Sequence, residues 1–200
     1  MKKALLLVCI LSISVITTAC INSFAVQELN GKAMEFMEQG NYQEAIERLK
    51  SSIDLDNSVF ESHYNLAVAY TKSEDYSNAM KTFKKAITIN PDFADSYYSL
   101  AVAEGNLATD IESGILYLDE NGDLQESKDN QDVFSNKTED TKDLANTTAA
   151  EKLYINDLRV DAIKNYKEYL ARGKDIDDEE VVKTQINILE DKLESTLEQQ

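Results

Sequence analysis

Between Phe60 and Phe93 runs a stretch whose pattern recurs at an interval of 34 residues, and that interval holds two short helices with their turns and little else. Leu66, Ala67 and Tyr70 fall at helical spacing in its first half, and Ala79, Met80, Phe83, Ala86 and Ile87 do so in its second. Each half therefore has one face to bury. The polar run Ser73–Ser77 separates them, with Asp75 or Ser77 available to cap the second helix. Pro91, the only proline in the chain, stops that helix, because its ring disfavours helical geometry in the residue before it.

One interval back, Ala33, Phe36, Tyr42, Ala45, Ile46, Leu49, Ile53 and Leu55 match Ala67, Tyr70, Tyr76, Ala79, Met80, Phe83, Ile87 and Ile89. The unit resembles the tetratricopeptide repeat, whose small residue, aromatic, turn and Y..A...F..A....P run stand here as Ala67, Tyr70, Tyr76, Ala79, Phe83, Ala86 and Pro91. It departs from the family in having His63 where a tryptophan is usual, and the unit before it lacks the closing proline, with Asn57 in its place. The resemblance implies an all-α superhelix of antiparallel helix pairs. About three units are expected, with an inserted acidic loop and a C-terminal capping helix.

The first unit is expected over residues 26–59, with helices near Val26–Gln39 and Tyr42–Leu55, and Gly40 can end the first of them in the left-handed conformation. The second is 60–93. A third opens at Ala94, where Tyr98, Leu100, Ala101, Val102 and Ala103 match Tyr64, Leu66, Ala67, Val68 and Ala69. Its second helix returns late: Ala162, Ile163, Tyr166, Tyr169 and Leu170 match Ala79, Met80, Phe83, Ala86 and Ile87 at an interval of 83, which exceeds the repeat by 49 residues. The third unit is thus split into 94–108 and 158–173 by an insertion at 109–157. Lengthening a turn in a stacked array costs little.

The insertion carries thirteen acids against four lysines, about half of the chain's excess of negative charge. Its middle reads as a loop, and two alternatives stand for its start: the same loop, or a small hairpin in which Ile115–Leu118 turns at Asn121-Gly122. Thr148 to Glu151 fits a capping box, so the returning helix starts there and runs to a stop at Gly173, or starts later at Asn156. Residues 177–200 are expected as the capping helix, with Val182, Ile186, Leu189, Leu193 and Leu197 in one apolar stripe.

Met1 to Cys20 reads as a targeting segment: Lys2 and Lys3 at its start, an apolar run from Ala4, and Thr17-Thr18-Ala19-Cys20 at its end. It resembles a bacterial lipoprotein signal, which implies lipidation of Cys20 and attachment to a membrane of the cell envelope, with residues 21–25 as a short linker. Cleavage after Ala25 and retention as an uncleaved anchor are the alternatives. Cys9 lies inside the signal, so a cleaved chain keeps at most one thiol and builds no disulfide or cysteine zinc site.

A formal charge of −17 opposes binding to nucleic acid. Nor does the chain present catalytic chemistry. His63 is its sole histidine and occupies a core aromatic position of the repeat, and no phosphate loop, G-x-S-x-G or H-E-x-x-H occurs. Asp119, Asn121 and Asp123 resemble the alternating ligands of a calcium loop, but Leu124 stands at its glycine and Asn130 at its closing glutamate. No enzyme activity, cofactor or metal site is expected.

What the resemblance does imply is a concave surface lined by the first helix of each unit: Asn30, Met34, Met37, Tyr64, Val68, Thr71, Tyr98 and Val102. Tyrosine and methionine there suit a protein or peptide partner with apolar anchors. One subclass of the family grips carboxylate-ended tails through basic residues; here Asn65 fits, while Asp95 and Ser99 stand where that subclass is basic. The expected function is a non-enzymatic scaffold of the envelope, like the repeat-containing lipoproteins of outer-membrane assembly or pilus biogenesis. The alternative is that the acidic insertion works as a flexible arm for a basic partner or cation.

Overall fold

A computed structural model describes residues 22–126, 147–173 and 177–197. Cys20 and the targeting segment lie outside the described residues, as does the part of the insertion from 127 to 146. The chain divides into two compact units at Pro91 and Asp92.

Unit 1 holds α1 (residues 22–38), α2 (Tyr42–Leu55), α3 (Phe60–Lys72) and α4 (Tyr76–Ile89). Helix α1 is already formed at residue 22, so 22–25 is helix rather than linker. No glycine or proline interrupts Asn22 to Val26, and buried Val26 gives the first turn something to hold. Between α1 and α2, Gly40 takes φ +76° as its position requires. One repeat later Glu74 takes φ 62° in the same turn, so the geometry of the turn outlasts the glycine that suits it. Asp75 caps α4 by accepting from the Asn78 backbone N–H.

Small residues set the spacing of these helices. Ala33, Ala45, Ala67 and Ala79 are fully buried, and Leu49 and Phe83 fill the space between them. His63 is buried in α3, its Nε2 at 2.9 Å from the Asn57 carbonyl, to which it donates.

Unit 2 holds α5 (Ala94–Glu112), β1 (Leu116–Leu118), β2 (Leu124–Glu126), α6 (Ala149–Arg172) and α7 (Glu179–Leu197). Helices α5 and α6 pack antiparallel across the insertion, so the split third pair closes as its repeat positions require. Both helices extend into what the sequence assigned to the insertion, which leaves only 113–148 between them rather than 109–157. The turns gained from 109–157 bury Ile111 of α5 and Ile155 of α6, beside Leu107, Ala108 and Leu158.

The hairpin is formed, with Leu118 paired to Leu124 and Leu116 to Glu126. Its loop is Glu120–Gly122, closed by Asp119 N–H to Asp123 carbonyl at 3.0 Å, with Gly122 at φ +82°. A three-residue loop ending in left-handed glycine replaces the tighter two-residue turn. Glu151 ties the hairpin to the start of α6. One carboxylate oxygen accepts from the Leu118 N–H at 3.0 Å, and the other from the Thr148 N–H and hydroxyl at 2.8 Å each, completing the capping box. Burial pushes this carboxyl up, but those hydrogen bonds hold it below its ordinary value.

Helix α7 closes unit 2. Val182 and Ile186 join Ala101, Ala162, Ile163 and Tyr166 in one cluster, with Leu189 and Leu193 partly buried against it.

Candidate binding surface

The residues expected to line a concave surface divide into three groups. Asn30 is spent internally: its Nδ2 lies 2.9 Å from the Val26 carbonyl and 2.8 Å from the hydroxyls of both Ser52 and Ser62, which are themselves 2.9 Å apart. Both serines are fully buried, so this polar knot fastens α1 to α2 and α3 where water cannot compete. Thr71 likewise gives its hydroxyl hydrogen to the Ala67 carbonyl at 2.9 Å.

A second group stays accessible on α1 and α3. Met34 is 42% exposed, Met37, Val68 and Tyr64 are half-buried, and Met34 and Val68 occupy equivalent repeat positions on the two neighbouring helices. Tyr64 is held by rings on either side, stacked on Phe60 and edge-on to Phe83, each at 5.8 Å between centroids. An adaptable apolar strip with a rigid aromatic beside it is suited to receive apolar side chains.

Tyr98 and Val102 form the third group. Both pack against the core cluster to which α7 contributes Val182 and Ile186, and the Tyr98 ring lies 5.7 Å from Tyr166 and 5.2 Å from Tyr169. In unit 2 these two residues are half-buried against that cluster. The reason is the capping helix, whose apolar stripe needs partners and finds them here.

Three polar links in unit 2 leave no local mark in the sequence. Arg159 Nη2 reaches both Glu112 oxygens at 2.7 Å, Asn165 donates to Glu104 at 2.8 Å, and the Tyr169 hydroxyl donates to Asp178 at 2.9 Å. Burial raises the Tyr166 hydroxyl to about 12, helped by the charges of Tyr98 and Glu104. Burial, then the bond to Asp178, raises Tyr169 to about 12 as well. The ordinary value is 10.0, so the folded state favours the neutral ring. Stability is therefore whole below pH 10 and falls as pH rises through 12. Urea midpoints at pH 8 and pH 11 are expected to show the drop, and Tyr166→Phe to lessen it, leaving the share of Tyr169.

Among the described residues no group of three or more His, Cys, Asp or Glu side chains is placed to hold a metal ion, and no helix is long and apolar enough to cross a membrane.

Residues 60–93 match the tetratricopeptide repeat family model, and residues 34–73 match a second model of the same repeat. No curated protein sequence matches the chain. Among solved structures, the chain is similar to the first tetratricopeptide domain of Spaghetti (RPAP3) bound to the HSP90 peptide SRMEEVD, at 15% identity and a TM-score of 0.56, covering 86% of this chain and 94% of that one. It is also similar to the first such domain of human RPAP3, at 15% identity and a TM-score of 0.53, covering 83% of this chain and 95% of that one. At that identity the likeness concerns the fold. Residues 34–93 carry tetratricopeptide repeats, and the chain has the all-α fold of a tetratricopeptide-repeat domain.

Proposed function

We propose that this chain is a non-enzymatic scaffold that holds a segment of a partner protein on the accessible face of α1 and α3, at the bacterial cell envelope, through a lipidated Cys20. The observation that carries the reading is the strip made by exposed Met34 with half-buried Met37 and Val68 on the neighbouring helices α1 and α3. The solved relative that holds an HSP90 peptide supports peptide capture as something this fold does. That peptide ends in acids, EEVD. The present chain carries a charge of −17 and has Asp95 and Ser99 where basic residues grip such tails, so its partner segment is apolar or basic.

Crosslinking in cells followed by pull-down tests this. The double variant Met34→Glu, Val68→Glu is expected to lower capture about tenfold, because it puts two charges where apolar anchors sit. Lys81→Glu, on the exposed side of α4, is expected to leave capture unchanged. Undiminished capture by the double variant would refute the placement.

A further inference from the structure

Helix α6 has a second face that neither the core nor the proposed binding strip uses. Leu153 is 65% exposed and Val160 is 53% exposed, seven residues apart, and Lys164 and Ala171 continue the same stripe. The equivalent residues of α4 show how unusual this is. There Ser77, Lys81, Lys84, Lys85 and Thr88 make a wholly polar face whose charges are all basic, whereas α6 has Val160, Lys164, Lys167, Glu168 and Ala171.

A hollow of about 370 Å³ lies on this face, lined by Val160, Ile163, Lys164, Lys167, Glu168 and Ala171. Four of those, Lys164, Lys167, Glu168 and Ala171, stand at i, i+3, i+4 and i+7, the four corners of the hole that receives a side chain from a facing helix. Of the charges on the face, Asp157 and Asp161 lie in its N-terminal half, while in its C-terminal half Lys164 and Lys167 outweigh Glu168. A face that is net acidic at one end and net basic at the other is complementary to itself when turned end for end.

We propose that the chain self-associates through α6 as an antiparallel helix pair about a two-fold axis. Leu153 of each copy sits in the hole of the other, Val160 meets Val160 at the axis, and Asp157 lies opposite Lys164. One register satisfies all three contacts. A parallel copy sets like charges together and leaves the hole empty. The contact of a single helix pair is smaller than the interface of a stable dimer, and the net charge of −17 repels, so the association is weak and strengthens with salt.

Sedimentation of the full chain over a concentration series to about 100 µM is expected to show a monomer–dimer equilibrium. Val160→Glu is expected to abolish it with an unchanged circular dichroism spectrum, since that side chain is largely exposed. Lys164→Asp and Asp157→Lys each set like charges opposite one another and are expected to weaken the dimer about tenfold. Mixing the two single variants re-forms both charge pairs in a heterodimer and is expected to restore association. A chain that stays monomeric at the highest concentration, a dimer indifferent to Val160→Glu, or a mixture that is not rescued overturns the proposal. So does capture of a different protein that depends on Val160, because that gives the face another occupant.

Discussion

Replacing Arg159 by alanine is expected to destabilise unit 2 by about 3 kcal/mol, the lower end of what breaking a buried ion pair costs. Arg159 is only 3% exposed, and its guanidinium meets both oxygens of Glu112. Removing it strands the Glu112 carboxylate, whose side chain is 21% exposed and whose remaining cation, Lys192, stands 3.7 Å away. Most of the loss is thus the cost of a half-buried charge without its partner rather than the value of the pair. The double variant Arg159→Met, Glu112→Leu removes both charges and is expected to recover most of the stability. Because the chain has no tryptophan, urea unfolding followed by circular dichroism is the measurement. A double variant no more stable than Arg159→Ala would show that shape, not charge, holds this contact.

This pair also marks where the sequence stops being readable. The interval of 34 could be read because helices that pack at fixed spacing need small or aromatic residues at fixed positions, as Ala67 and Ala101 show. The same logic located the second half of the third unit across the insertion. It could not place the helix ends there, because Leu107, Ile111, Ile155 and Leu158 pack in turns that the other repeats lack, so no template existed for them. Arg159 and Glu112 are 47 residues apart, and nothing local in either segment announces the other. The binding strip was legible only in part for a related reason. Repeat position put Asn30 and Met34 on one face, but whether a polar side chain points out or in depends on partners 22 and 32 residues away, here Ser52 and Ser62. For Tyr98 and Val102 the deciding element is α7, which follows them by some eighty residues.

Removing residues 178–200 is expected to have the largest effect of any change considered. In a stacked array the last pair leaves one apolar face without a neighbour, and a terminal helix with a polar outer side is what makes it soluble. Here α7 supplies Val182 fully buried, Ile186 nearly so and Leu189 and Leu193 partly so, and at about 1.5–3 kcal/mol for each fully buried side chain their loss is of order 5 kcal/mol. The cut also removes Asp178, acceptor of the Tyr169 hydroxyl, and bares Ile163 and Tyr166. That sum is comparable to the whole stability of a small domain. The truncated chain is therefore expected to lose the helical signal of unit 2 and to aggregate through it, while limited proteolysis leaves a resistant fragment from unit 1, which has Phe83 and Leu49 fully buried within its own compact unit. Val182→Asp is the milder form of the same test: it buries a charge at a fully buried position in an otherwise complete chain and is expected to lower the melting temperature in the same direction. A truncated protein that melts like the full chain would mean that α5 and α6 close their own core and that the stripe on α7 is incidental.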